Sequence, residues 1–154
     1  MDSCDVAVIG AGAVGLAVAF ELSKSFRNTV VFEKEDSFGR HTSSRNSETV
    51  HSGIYYPPGT LKAKLCLAGN ELLYRFMKDN GITHKNCGKY IIASSDDEIP
   101  EIERLHANGI KNKVPGIRIA EGKEIMAREP LVNAVAGVHV PTAGIMDSHG
   151  IMKR

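Results

Sequence analysis

Asp5-Val6-Ala7-Val8-Ile9-Gly10-Ala11-Gly12-Ala13-Val14-Gly15 is the stretch that decides the fold. Val6 to Ile9 is apolar and β-branched with no polar alternation, the pattern of a strand covered on both faces in a parallel sheet. Glycines follow at once. Leu16 to Phe26 is then rich in helix formers, with Ala19, Leu22 and Phe26 on one helical face. Asn28 to Glu33 reads as a second short strand with an acidic end. Strand, glycine turn, helix and strand within about 30 residues make a βαβ unit.

Gly10, Gly12 and Gly15 have the spacing GxGxxG, a weak signal by itself, since a tight structural turn needs glycines too. The context gives it force. The glycines lie between a strand and a helix, and Glu33 ends the next strand 18 residues beyond Gly15. Gly10 permits the turn, Gly12 lets a pyrophosphate approach the backbone, and Gly15 lets helix and strand pack closely. The helix start offers free N–H groups and a positive dipole end to phosphates. Glu33 suits the hydroxyls of an adenosine ribose. The reading is a dinucleotide site, and the pattern serves NAD and FAD alike. Lys34 leaves an opening to NADP, which Glu33 opposes.

Working outward, Lys34 to Ser47 has no regular period and reads as an ordered loop. Arg40 and Arg45 can neutralise phosphate, and Ser43, Ser44 and Ser47 can hydrogen-bond phosphate or a ribityl chain. The other reading is a solvated loop. Thr49 to His51 reads as extended and Tyr55 to Gly59 as a turn. Thr60 caps a helix with Leu61, Leu65, Ala68, Leu72, Phe76 and Met77 at helical spacing, stopped by Gly81. Gly88 to Ala93 is a strand. Ser95 or Asp96 then opens a helix carrying Ile99, Ile102 and Leu105 and ending near Gly109. An extended piece at 116–119, a helix over 121–128 and a strand over 135–140 follow, with Pro141 and Gly144 marking a turn. Alternating elements favour α/β or a mixed sheet with helices.

The composition sets outer bounds. The 154 residues carry 19 basic and 18 acidic side chains, a formal charge of +1, so no global field points to nucleic acid or to an anionic membrane. Cys4, Cys66 and Cys87 form no CxxC pair and no disulfide framework, which favours a reducing compartment. His84 and Cys87 lack a second ligand pair, so no metal site is expected. No signal peptide or transmembrane segment is apparent, and a soluble, cytoplasmic protein is expected. The sequence stops at Gly150 to Arg154 just as another helix opens, so the domain is expected to be incomplete.

A family resemblance is carried by His41-Thr42-Ser43-Ser44-Arg45-Asn46-Ser47-Glu48-Thr49-Val50-His51-Ser52-Gly53-Ile54-Tyr55-Tyr56-Pro57-Pro58-Gly59-Thr60-Leu61-Lys62-Ala63-Lys64-Leu65-Cys66. This run closely resembles the L-2-hydroxyglutarate oxidase/dehydrogenase family of the FAD-dependent D-amino-acid oxidase-like superfamily, which also includes glycerol-3-phosphate dehydrogenase. Cys87-Gly88-Lys89, Arg128-Glu129-Pro130 and His139-Val140-Pro141 followed by Thr142 to Asp147 match as well. The resemblance spans Asp5 to His149.

It implies FAD as the cofactor, with Gly10, Gly12 and Gly15 along the pyrophosphate and Glu33, with Lys34 beside it, at the adenosine ribose. Ser43, Ser44 and Arg45 would lie along the pyrophosphate, Ser47 and Thr49 closer to the flavin, and Val50 to Gly53 beside the isoalloxazine ring. The implied reaction oxidises L-2-hydroxyglutarate to 2-oxoglutarate by hydride transfer to flavin N5, with electrons passing to oxygen or a membrane quinone. His51 is the candidate base, since imidazole titrates near neutrality; its other reading is a structural residue. His41 reads as a loop residue. Tyr55, Tyr56 and Lys62 are candidates for the substrate's carboxylates.

The implied fold is a Rossmann-like FAD-binding βαβ start over 1–80 and the beginning of a mixed-sheet substrate domain over 81–154, the two interleaved. Family members are much longer. Family analogy allows peripheral association with the inner membrane. Two alternatives stay open: a related flavoenzyme acting on glycerol-3-phosphate, an amino acid or an amine, and a non-catalytic nucleotide-binding fragment.

Overall fold

Gly15 has no side chain because there is no room for one: a Cβ there would stand 2.0 Å from the carbonyl oxygen of Gly10 and 3.6 Å from Val8 Cγ1. That close approach sets the first helix against the first strand. In the computed structural model, which describes residues 3–154, β1 (Val6–Ile9) pairs in parallel with β2 (Thr29–Phe32), Val6 opposite Thr29 and Ile9 opposite Phe32. Between them runs α1 (Ala13–Ser23). It starts three residues before the expected Leu16, because the glycine turn itself forms the first helical turn, and it closes before Phe26. Phe26 is exposed instead of sharing a buried face with Ala19.

The expectation of a strand covered on both faces is not met among the described residues. Ile9 is 80% exposed, since α1 covers one face of a sheet of only two strands.

The chain forms two compact units. The first joins residues 1–48 to 147–154, and the second is Thr49–Met146. The helix over 61–79, grouped with the first eighty residues in the reading of the sequence, therefore belongs to the second unit. In the first unit the expected last helix is present as Ser148–Lys153, with the Asp147 carboxylate accepting from the Gly150 N–H at 2.8 Å. Its Met152 packs where a side chain on Gly39 would go, Cε standing 2.8 Å from such a Cβ.

In the second unit β3 (Thr49–Val50) and β4 (His84–Lys85) pair antiparallel with the two edges of β8 (Gly144–Met146). A second antiparallel sheet has the order β5 (Lys89–Ala93), β7 (Ala136–Val140), β6 (Arg118–Glu121). Strands β4 and β8 had no reading in the sequence, where Gly144 marks a turn. Two or three residues carry no period, and only pairing partners make them strands.

Helix α2 (Leu61–Asp79) begins as expected, Thr60 Oγ1 accepting from the Ala63 N–H at 3.2 Å. Its buried side is only partly the expected one, Met77 being buried as the spacing implies. Leu61, Leu65 and Leu72 are exposed, while Ala63 and Met77 are buried. Helix α3 (Ile99–Lys111) runs two residues past Gly109, which is no stop signal. A Cβ at Gly109 would come within 2.3 Å of Ile117 Cδ1, so that glycine admits close packing. Ile102 and Leu105 of α3 join Ile54, Ala93, Val138 and Val140 in the main core of this unit. On the other face, Ile125 of α4 (Gly122–Arg128) packs with Ala120, Ala134 and Ile92. No helix among the described residues is long and apolar enough to cross a membrane.

Asn112, at the C-terminal end of α3, is buried and donates to the carbonyls of Gly53 at 2.9 Å and Tyr56 at 2.7 Å. Replacing it by alanine removes a donor pair from inside the fold. Asn112→Ala is expected to cost about 2 kcal/mol of stability, read as a lowered urea midpoint with an unchanged slope.

Candidate cofactor and substrate sites

The first unit gathers the glycine fingerprint and its acidic partner. Gly10 has φ +100° with no atom within 4 Å of a Cβ position, so its backbone faces open space. Gly12 caps α1 without a side-chain hydrogen bond. Ser43 reaches across the loop, its Oγ accepting from the Ala13 N–H at 2.9 Å and standing 3.1 Å from a Cβ on Gly12.

Glu33 follows β2 and is ringed by backbone donors. Oε2 accepts from the Ala11 N–H at 2.7 Å, and Oε1 from Lys34 and Glu35 N–H at 2.9 and 3.1 Å. These bonds, Ala11's foremost, hold its carboxyl below the usual 4.5. An ionised carboxylate is an acceptor only, and Oε2 keeps a lone pair for a hydroxyl donor.

The loop is tied more locally than its composition suggests. Arg40 gives its fork to Asp36 at 2.9 and 3.1 Å, so its charge is met inside the loop. Lys34 stands 3.4 Å from Glu35, and His41 bonds Glu35 at 3.0 Å. Ser44 sits in a short 3-10 turn (Thr42–Ser44) where no helical piece is expected, and donates to the His41 carbonyl. Arg45 has no acidic partner among the described residues. Ser47 is exposed in the same loop, and Thr49 lies in the second unit, on β3 opposite Ile145.

Open backbone at Gly10, a helix start with glycine at its N-cap and Ser43 on its Ala13 N–H, the cation at Arg45 and the ionised acceptor at Glu33 fit the ADP half of a dinucleotide. Glu48, Asp147 and His149 bring ligand-type atoms within 4.8 Å of one another, where the sequence led to no expectation of a metal site. Glu48 and Asp147 already accept from Ser148 and Gly150 N–H at the start of the C-terminal helix.

The second unit places His51, Tyr55, Tyr56 and Lys62. The His51 carbonyl accepts from Asn70 Nδ2 at 2.9 Å and Cys66 Sγ at 3.6 Å, and the same Asn70 amide reaches the Thr142 carbonyl. Partial burial, with the Lys89 charge adding to it, pushes the His51 imidazole below its ordinary value, which favours its neutral form. The Ile54 and Tyr56 carbonyls accept from Asn108 Nδ2. Lys62 Nζ lies 4.6 Å from the centre of the Tyr56 ring, and Lys89 Nζ 4.6 Å from that of Tyr55. Lys89 also donates to Tyr55 Oη at 3.5 Å.

Sequence reasoning missed Lys89 and the three asparagines. Lys89 reads as a strand residue within the Cys87-Gly88-Lys89 match, which gives it no role, and asparagine donors aimed at a distant loop leave no local pattern.

Comparison with known proteins settles the family. Residues 5–154 match the family described as FAD dependent oxidoreductase (DAO). The chain belongs to this family. It is 49% identical over 148 residues to the mitochondrial L-2-hydroxyglutarate dehydrogenase of Arabidopsis thaliana, covering 96% of this chain and 31% of that one. It is 40% identical over 147 residues to the human mitochondrial L-2-hydroxyglutarate dehydrogenase, covering 94% and 32%. The chain spans about a third of the length of these relatives.

Among solved structures, the FAD-bound L-alpha-glycerophosphate oxidase of Mycoplasma pneumoniae matches with a TM-score of 0.90 and 29% identity, over 99% of this chain and 41% of that one. Glycine oxidase from Geobacillus kaustophilus, at 22% identity and a TM-score of 0.84 over 97% and 42%, shares the fold.

The Glu33 carboxyl titrates lower in the folded chain than in the unfolded one, so it adds stability above about pH 4.5 that is lost as pH falls through its lowered value. Glu33→Gln is expected to flatten that acid limb. Urea midpoints measured from neutral pH down into the acid range check it.

Proposed function

We propose that the protein carrying this chain oxidises L-2-hydroxyglutarate to 2-oxoglutarate with FAD. The observation that carries this reading is the 49% identity to an L-2-hydroxyglutarate dehydrogenase over nearly the whole chain. In this reading the first unit is the cofactor-binding part and the second begins the substrate-binding part. Bound FAD would supply the hydride acceptor.

The roles of the chain's own residues follow from their chemistry. The Gly10, Gly12 and Gly15 turn offers backbone to the pyrophosphate, with Ser43, Ser44 and Arg45 beside it and Glu33, next to Lys34, on the adenosine ribose. Ser47 and Thr49 serve the flavin end. His51, whose neutral form is favoured by partial burial, takes the hydroxyl proton as the carbinol carbon gives up its hydride. Tyr55, Tyr56 and Lys62 meet the dicarboxylate. Electrons then leave to oxygen or a membrane quinone, from a protein in the cytoplasm or at the inner-membrane surface. The likeness to a glycerophosphate oxidase favours one second reading, a related flavoenzyme whose alcohol carries a phosphate.

Purified protein is expected to hold one flavin per chain and to reduce a dye acceptor with L-2-hydroxyglutarate. His51→Gln is expected to lower kcat by about 10²–10⁴ with a smaller change in KM. A wild type that oxidises glycerol-3-phosphate and leaves L-2-hydroxyglutarate untouched would overturn the assignment.

A further inference from the structure

We propose that Lys89 is a substrate-binding residue which, with Tyr55, holds the carboxylate attached to the reacting carbon of a 2-hydroxy acid. The proposal rests on the function assigned above and adds a residue and a division of labour to it.

The geometry is that of an ammonium held ready for an anion. Lys89 opens β5 and is only half-buried, with Nζ 3.5 Å from Tyr55 Oη and 4.6 Å from the centre of its ring. Among the described residues no carboxylate pairs with it. An ammonium has three donors, and the phenol uses one. Both partners sit on fixed backbone. Lys89 is paired with Val140 across β5 and β7, and Tyr55 lies between Ile54 and Tyr56, whose carbonyls are bonded by Asn108 and Asn112. Such support holds a recognition geometry to the tolerance that binding requires.

The position of His51 says which carboxylate. A 2-hydroxy acid bears its C1 carboxylate one bond from the carbon whose hydroxyl proton a base must take. Lys89 Nζ is held on Tyr55 Oη, four residues from His51 in the same loop, which makes it the cation placed near that carbon, and its charge adds to the effect of burial on the imidazole. Cys66 of α2 bonds the His51 carbonyl through Sγ, and the charges of Lys62, also on α2, and of Lys89 both act on that thiol. Lys62 stands over Tyr56 as Lys89 stands over Tyr55. Two lysine–tyrosine pairs match two carboxylates, and the Lys62 pair is left for the distal one.

The test uses FAD-loaded protein with Lys89→Met, Lys89→Arg and Lys62→Met, each checked for unchanged circular dichroism and flavin content. Lys89→Met is expected to raise KM by about 30-fold or more for L-2-hydroxyglutarate and for L-2-hydroxyvalerate alike, since both share the C1 carboxylate. Lys62→Met should weaken L-2-hydroxyglutarate alone. Lys89→Met should also move the His51 limb of the kcat/KM profile to higher pH, and Lys89→Arg should restore it. Unchanged KM in Lys89→Met, or a loss confined to the dicarboxylate, overturns the proposal.

Calorimetric binding of 2-oxoglutarate separates this idea from the assigned function. If the wild type does not turn over L-2-hydroxyglutarate but binds 2-oxoglutarate, the function fails, and weaker binding by Lys89→Met still supports the carboxylate role. A wild type that neither turns over nor binds overturns both.

Discussion

A loop that enters a core must find donors for its carbonyls, and the second unit is organised around that requirement. Between His51 and Tyr56 four carbonyl oxygens accept from side-chain amides: His51 from Asn70, Gly53 from Asn112, Ile54 from Asn108, and Tyr56 from both Asn108 and Asn112. Asparagine suits the task because one short side chain carries two N–H donors, where aspartate would carry none. The Ile54 side chain meanwhile sits almost wholly buried among Leu105, Val138 and Val140. Polar satisfaction and apolar burial thus pin the same few residues. Tyr55, between two pinned neighbours, is left exposed.

The first unit solves a different problem with backbone and one carboxylate. Its helix must come close to the turn that starts it, and a missing side chain at Gly15 permits this. Glu33 closes the arrangement, because its carboxylate accepts from the Ala11 N–H inside the glycine turn. The end of β2 and the turn after β1 therefore hold each other in place. The acceptor suited to a ribose and the backbone suited to a pyrophosphate are set by one bond. A fingerprint spread over some twenty residues is thereby a single local device.

That device was legible in the sequence because it is local: spacing, strand pattern and acidic end all lie within one βαβ unit. The Thr60 cap and the spans of α2, α3 and α4 were legible for the same reason. What failed depends on tertiary partners. Leu61, Leu65 and Leu72 have helical spacing, yet the packed side of α2 runs through Ala63 and Met77, since the nearest elements decide which side is covered. Gly109 looks like a stop and is a packing glycine, a distinction set by Ile117 eight residues on. Strands β4 and β8 exist through pairing alone. In the site, His51 and the two tyrosines could be named from a resemblance. Lys89 was named in the resemblance but could be given no role, because its partner is Tyr55, 34 residues away.

Lys89 and His51 also explain each other electrostatically. Partial burial first, and then the Lys89 charge, lower the affinity of the His51 imidazole for a proton, which favours the form able to accept one. An anion arriving at Lys89 would cancel part of that field. The imidazole would then bind a proton more readily in the complex than in the free protein. The base would gain strength at the moment a hydroxyl proton has to be taken, and lose it again when the anion leaves. A neutral alcohol would bring no such change. One lysine could in this way link recognition of a carboxylate to the basicity of the residue beside it, through charge alone and without movement of the chain.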